Sequence, residues 1–334
     1  MLTRMASEFP HDMAGGVAVV GAGNVGAAVA NALVLLHATD RVVLWDRNLA
    51  RAEGEAWDIA DGTPLLHNVE VIATDDWRDL AGVEVIVVTV GVAFRPGQSR
   101  LDERDGDLVR AIIEQLDAVA PDAVVLMLSN PVDVLTRIAQ DHSARPAHLI
   151  LGAGTVLDTA RLRHGLAAIL GVDSQNAHVH VIGEHGDSSF PAWSSATIGP
   201  VPLRSFPLPS GKSLAALKTG CMERTCRRGP DDIMSRKGHT DAGIAVAASR
   251  IVECVVRDQR RIYTVSVPAL AEYGVGETAV LSLPCVVGRG GVVRRLALAL
   301  DADDQAMLGR SAAVLEGAYQ SNEISEQVGI AGEV

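Results

Sequence analysis

Val17-Ala-Val-Val-Gly21-Ala-Gly23-Asn-Val-Gly26 decides how the chain begins to fold. A short β-branched run leads straight into three glycines at GxGxxG spacing, and the residues that follow, 25–37, carry a helical pattern. Glycines so placed allow a tight turn, bring the backbone close to a pyrophosphate and let helix pack on strand, while the helix N-terminus supplies N–H donors. With 32 glycines in 334 residues such spacing is easily met by chance, so its surroundings carry the weight. Asp46 stands 20 residues beyond Gly26, closing the apolar run Val42–Trp45, where a carboxylate accepts from an adenosine ribose. A negative charge there repels a 2′-phosphate and favours NAD over NADP, with the adjacent Arg47 pulling the other way.

Working outward, the first half alternates apolar runs with helical stretches. Strands are expected at 17–20, 42–45, 69–72, 85–90 and 124–128, and helices at 25–37, 49–59 and 105–119. Such alternation implies right-handed crossovers and a parallel sheet covered on both faces, an α/β architecture. After about residue 150 the rhythm changes to a helix over 156–170, a run from His178 to Ile182 leading towards His185, and a Pro-rich passage over 200–209. A helical run broken at Gly229-Pro230 follows, then a helix over 242–256, hairpin strands near 262–267 and 280–287, and a last helix over 303–319. The pattern divides the chain into a nucleotide-binding domain at 15–154 and an α+β domain at 155–322, with 1–14 and 323–334 expected as flexible tails.

Composition narrows the function classes. The chain is 48% hydrophobic and 21% charged, enough apolar material for a sizeable core. A net charge of −12 gives no general attraction for nucleic acid or an anionic membrane. No apolar h-region opens the chain and no run is long enough to span a bilayer, so a soluble, cytoplasmic protein is expected. Cys221, Cys226, Cys254 and Cys285 lack metal-site spacing and disulfide density; they read as reduced thiols, and no metal site is expected.

Three constellations carry chemistry. His185 lies in Ile182-Gly-Glu-His185-Gly-Asp-Ser-Ser, flanked by glycines at the end of an apolar strand, so its ring is exposed with room for a ligand. Taken alone, a turn histidine is as good a reading as a catalytic one. Asp158 and Arg161 share a helix face three residues apart, as a local ion pair or as an imidazole-orienting carboxylate beside a carboxylate clamp. Phe94-Arg95-Pro-Gly97-Gln-Ser-Arg100 follows the fourth strand with the Pro and Gly of a mobile loop that carries Arg100 inward on closure.

Together these segments resemble the lactate/malate dehydrogenase family over residues 16–320. Carriers of the resemblance are 21–26, Gly54-Glu-Ala-Trp-Asp58, 96–101, Ser129-Asn130-Pro-Val-Asp133, Leu157-Asp-Thr-Ala-Arg161, Gly183-Glu-His185-Gly-Asp-Ser and Leu283-Pro-Cys-Val-Val-Gly288. The pattern is most similar to bacterial NAD-dependent L-lactate dehydrogenases. The resemblance implies a Rossmann-type doubly wound parallel sheet followed by an α+β substrate domain, and reversible hydride transfer between NADH and pyruvate. It gives His185 proton transfer, Asp158 the orienting of that ring, Arg100 polarisation of the carbonyl with Asn130 adding a hydrogen bond, and Arg161 the substrate carboxylate. Thr240 and Phe94 would line the pocket. Gly21, Gly23, Val25, Gly26, Asp46, Arg51, Gly91, Val92 and Ser129 would meet the cofactor. Arg163 and His178 match positions that bind fructose 1,6-bisphosphate between subunits of a tetramer, which implies an allosteric glycolytic enzyme.

Two departures keep other readings open. Phe94 stands where lactate enzymes usually carry Gln and malate enzymes Arg, which suits bulkier 2-hydroxy acids as the next reading. Malate would need a second cation, which Arg95 supplies only if the loop slips by one residue. Gly229-Pro230 falls where the family usually has helix formers lining the pocket. NAD-dependent glycosidases share the fold but need a metal, and a silent dinucleotide-binding protein would not require all of His185, Asp158, Arg161 and Arg100.

Overall fold

A computed structural model describes residues 15–91, 106–222, 228–276 and 279–331. Six parallel strands form its centre: β1 (Val17–Val20), β2 (Arg41–Trp45), β3 (Glu70–Thr74), β4 (Val85–Val88), β5 (Val124–Met127) and β6 (Ile150–Gly152). Between them run α1 (Asn24–Leu35), α2 (Leu49–Gly62), α3 (Gly106–Val119) and α4 (Val132–His142). In space the strands run β3-β2-β1-β4-β5-β6, the doubly wound order, and β1, β4 and β5 are buried along their whole length. This is why they are near-continuous Val, Ile and Leu rather than alternating.

The second half begins with α5 (Val156–Leu170). Short strands follow: β7 (Ala177–His178), β8 (Val181–Ile182), β9 (Phe190–Pro191), β10 (Thr197–Ile198) and β11 (Val201–Pro202). Then come α6 (Leu214–Met222), α7 (Arg228–Lys237), α8 (Ala242–Val256), β12 (Arg261–Pro268), β13 (Val280–Gly288), β14 (Gly291–Arg295) and α9 (Ala302–Ala331). The long β12–β13 hairpin does not make a sheet of its own. Ser266 of β12 pairs antiparallel with Gly152 of β6, so one nine-stranded sheet runs from β3 to β14 across both halves. A smaller core gathers Leu162 and Leu166 of α5 with Ala177, Val179, Val181, Ile198 and Leu217.

Three expectations are corrected. The run from His178 to Ile182 is not one strand: β7 pairs with β10, whereas β8 pairs with β9. Gly229-Pro230 does not break a helix but lies in the first turn of α7, where the missing proline N–H has no intrahelical partner to lose. The C-terminal tail expected from residue 323 is helical as far as Ala331 in α9. Segment 1–14 and the loop bearing Val92, Phe94, Arg95 and Arg100 lie outside the described residues.

Candidate active site

The glycine turn joins β1 to α1 at the point where the strand order reverses, between β1 and β4. Gly21 has φ +107°, a left-handed conformation that suits glycine, and a Cβ on Gly26 would stand 1.7 Å from the Gly21 carbonyl oxygen. Those two glycines close the turn. Gly23 differs: a Cβ there would meet nothing nearer than an Arg51 Nη at 4.0 Å, so this face is open to a ligand beneath a guanidinium. Val25 follows at the start of α1, half-buried.

Asp46 leaves the end of β2 and bonds back to this turn. Its Oδ2 accepts from Ala22 N at 2.8 Å and its Oδ1 from Asn48 N at 2.9 Å, fixing the carboxylate at the rim of the open face. Gly91 is exposed just beyond β4, and the Ser129 hydroxyl at the end of β5 donates to the neighbouring Val90 carbonyl. The turn, the open face of Gly23 and the rim carboxylate fit an NAD-sized dinucleotide: its diphosphate over Gly23 near Arg51, its ribose at Asp46. Among the described residues no group of three or more His, Cys, Asp or Glu is arranged to hold a metal.

The chemistry-bearing side chains meet between α5 and the β8–β9 hairpin. α5 is capped in αL by Gly171, and its first turn carries Asp158 on a buried face. Asp158 is shared between two partners, Oδ2 lying 2.9 Å from His185 Nδ1 and Oδ1 accepting from Arg161 Nη1 at 3.1 Å. Local pair and imidazole anchor are therefore the same carboxylate. Burial alone would raise Asp158, but the facing His185 and Arg161 outweigh it and hold the carboxyl below its ordinary range. The His185 side chain keeps 25% of its surface accessible. Asn130 is exposed between β5 and α4.

Thr240 is half-buried in the link from α7 to α8. That link is held by Asp241, which caps Ala242 N, accepts from Lys237 and lies 3.1 Å from His239 Nε2. A Cβ on Gly243 would meet the Leu157 side chain at 3.3 Å, so the start of α8 rests against the residue next to Asp158.

Three groups around the site have no role assigned from the sequence. Asp133 is buried in the first turn of α4; its Oδ2 accepts from His185 N at 2.6 Å and its Oδ1 from the Ser266 hydroxyl. Glu184 accepts from Ser188 N, and its own N–H donates to Ser311 Oγ at 2.6 Å. The signal was a carboxylate inside apolar sequence, Val132-Asp-Val-Leu135 and Val181-Ile-Gly-Glu184, although an acid in a helix's first turn is ordinary on its own. The His180 Nδ1 lies 3.4 Å from an Arg163 Nη. Burial, with Arg163 and His178 nearby, pushes His180 down to about 4. Arg163 is accordingly not a solvated charge: it is half-buried and donates through Nε to Val179 O at 3.1 Å, whereas His178 is exposed.

With this geometry in view, the comparisons are direct. Residues 16–152 match the NAD binding domain of lactate/malate dehydrogenase, and residues 155–324 match its alpha/beta C-terminal domain. The chain belongs to the lactate/malate dehydrogenase family. It is an NAD-dependent oxidoreductase. The chain is 40% identical to the L-lactate dehydrogenase of Moorella thermoacetica, over 90% of this chain and 95% of the relative. It is 42% identical to that of Deinococcus radiodurans, over 91% and 98%. Among solved structures, the minor L-lactate dehydrogenase of Enterococcus mundtii in ligand-bound form aligns with a TM-score of 0.87 at 30% identity, over 93% of this chain and 99% of that one.

Proposed function

We propose that the protein is an L-lactate dehydrogenase, reducing pyruvate to (S)-lactate and catalysing the reverse. The observation that carries this reading is Asp158, one buried carboxylate bonded at once to a ring nitrogen and to an arginine on its own helix. NADH, when bound, supplies the hydride that adds to the carbonyl carbon. His185 gives the proton held at Nε2 to the carbonyl oxygen, so the hydroxyl forms as the C=O π bond is lost. Asp158 fixes the tautomer at Nδ1 and favours the charged ring before transfer. Arg161 spends only Nη1 on Asp158 among the described residues, which leaves the rest of its fork to the substrate carboxylate. Asn130 and Arg100 act on the carbonyl oxygen as charge gathers there, and Thr240 and Phe94 shape the pocket. Gly21, Gly23, Val25, Gly26, Asp46, Arg51, Gly91, Val92 and Ser129 hold the cofactor. Residues 15–154 and 155–322 are the corresponding domains.

The reading extends to a cytoplasmic, glycolytic homotetramer in which Arg163 and His178 of neighbouring subunits bind fructose 1,6-bisphosphate. Support comes from α5, which bears Arg163 as well as Asp158 and Arg161, and from the buried free thiols of Cys254 and Cys285. NADH absorbance with a panel of 2-oxo acids tests the substrate. Phe94 puts an apolar ring where a dicarboxylate's second charge would be buried unpaired, at a cost of several kcal/mol. Pyruvate should therefore exceed oxaloacetate in kcat/KM, with longer aliphatic 2-oxo acids tolerated, and Phe94→Arg should move the ratio towards oxaloacetate. A wild-type preference for oxaloacetate would mean that Arg95 faces the substrate.

A further inference from the structure

The main chain of His185 is held as deliberately as its ring. We infer that Asp133 is a positioning residue for His185: its carboxylate accepts the His185 N–H at 2.6 Å and the Ser266 hydroxyl at 2.5 Å, tying the proton donor to α4 and β12. This rests on the reading of His185 as the donor. Asp133 lies three residues beyond Asn130, just inside α4, so one anchor fixes the histidine to the segment carrying Asn130, another group assigned to the carbonyl oxygen. The two then keep their separation as the cleft works.

A simple acceptor for one N–H would not need a charge. Asp133 is buried, where an ionised carboxyl is costly and a serine or asparagine would serve the same bond more cheaply. What the carboxylate adds is a negative charge beside an imidazole that must be protonated before it can act. The groups facing Asp133 are His185 and Glu184 from the β8–β9 hairpin and Ser266 from β12. Arg137 of its own helix and Tyr319 of α9 line a small cavity with it. Arg137 is already matched, by Glu316 at 2.7 Å and Asp141 at 3.5 Å, and lies over the Tyr319 ring. His185 is thus the cation that Asp133 is placed to favour, in addition to Asp158. Burial raises Asp133 to about 6 against the bonds it accepts, so its charge is fully present only above that pH.

The test uses three variants of the full chain. Asp133→Ala should lower kcat for pyruvate about 10- to 100-fold while KM and NADH affinity stay within about threefold, the signature of a displaced donor in an intact site. Asp133→Asn keeps an oxygen for the His185 N–H and should restore most of that loss at pH 6. Its His185 imidazole, followed by NMR in 15N-labelled protein, should titrate at lower pH than in the wild type. Ser266→Ala should fall between wild type and Asp133→Ala in kcat. Wild-type kcat in Asp133→Ala overturns the proposal, as does an Asn variant whose imidazole titrates as in the wild type. If the Ala variant does not fold, the Asn and Ser266 variants decide. A wild-type protein inactive on every 2-oxo acid would instead remove the proposed function, while the imidazole titration would still report on Asp133.

Discussion

At the scale of single residues, Asp158 does two jobs with two oxygens, and only one of them is replaceable. Asp158→Asn can still bond Arg161, but it withdraws the charge that favours an imidazolium. The alkaline limb of pyruvate reduction should move to lower pH with a loss of rate, measured as kcat against pH. His185→Ala should cost at least the roughly 100-fold expected of a positioned general acid; unchanged turnover would remove His185 from the chemistry. His180 makes a different prediction, about stability. Its folded value of about 4 lies below the ordinary 6.5, so between those pH values the unfolded chain binds a proton that the folded one refuses. Stability is therefore lost as pH falls through that window, by about 2–3 kcal/mol at pH 4.5. His180→Asn should narrow the difference between urea unfolding at pH 7 and at pH 4.5, and an unaltered difference would show that His180 protonates freely in the native protein.

At the scale of elements, the glycine turn separates packing from binding. Gly26→Ala would drive a methyl into the Gly21 carbonyl, so α1 must lift from the turn, costing about 1–3 kcal/mol and the cofactor with it. Gly23 has φ −75° and ψ −177° and an open face, so Gly23→Ala should fold with an unchanged Tm yet bind NADH at least tenfold more weakly. Thermal unfolding beside NADH fluorescence titration distinguishes them, and equal loss of Tm in both would deny Gly23 its ligand. The same turn shows what was legible in the sequence. β1, β2, β4 and β5 were readable because buried parallel strands are rich in Val, Ile and Leu. The split of 178–182 was not, since Val179 and Val181 are buried in either arrangement and only pairing with β10 or β9 decides it. Asp158, Arg161 and His185 were legible through motif spacing, whereas Asp133 and Ser266, 133 residues apart, meet only because β12 joins the parallel sheet.

At the scale of the whole molecule, charge is distributed against its average. The chain carries a net −12, yet Arg163 and His178 bring cations to the region between α5 and β7. Arg163 is half-buried, burial pulls its guanidinium below the ordinary value, and one of its nitrogens already serves Val179 O. An arginine so placed is held against the Val179 carbonyl instead of swinging in solvent. In a twofold-related pair of subunits, two such arginines and two exposed His178 rings would gather four cations that repel one another until a two-phosphate ligand bridges them. Because α5 also holds Asp158 and Arg161 within two turns of Arg163, ordering Arg163 should steady them and tighten substrate binding. A coupling of ~1–3 kcal/mol corresponds to a roughly 5- to 150-fold rise in apparent pyruvate affinity with fructose 1,6-bisphosphate present. His178 contributes charge only when protonated, so the effect should weaken as pH rises, and Arg163→Gln should abolish it while leaving activity without the bisphosphate intact. Pyruvate titrations at pH 6, run with and without the bisphosphate and paired with sedimentation of the same samples, measure both halves of the linkage. Superimposable curves would leave Arg163 as a packing residue for β7 and β8, and a shift in affinity without a shift in assembly would place the bisphosphate within one subunit.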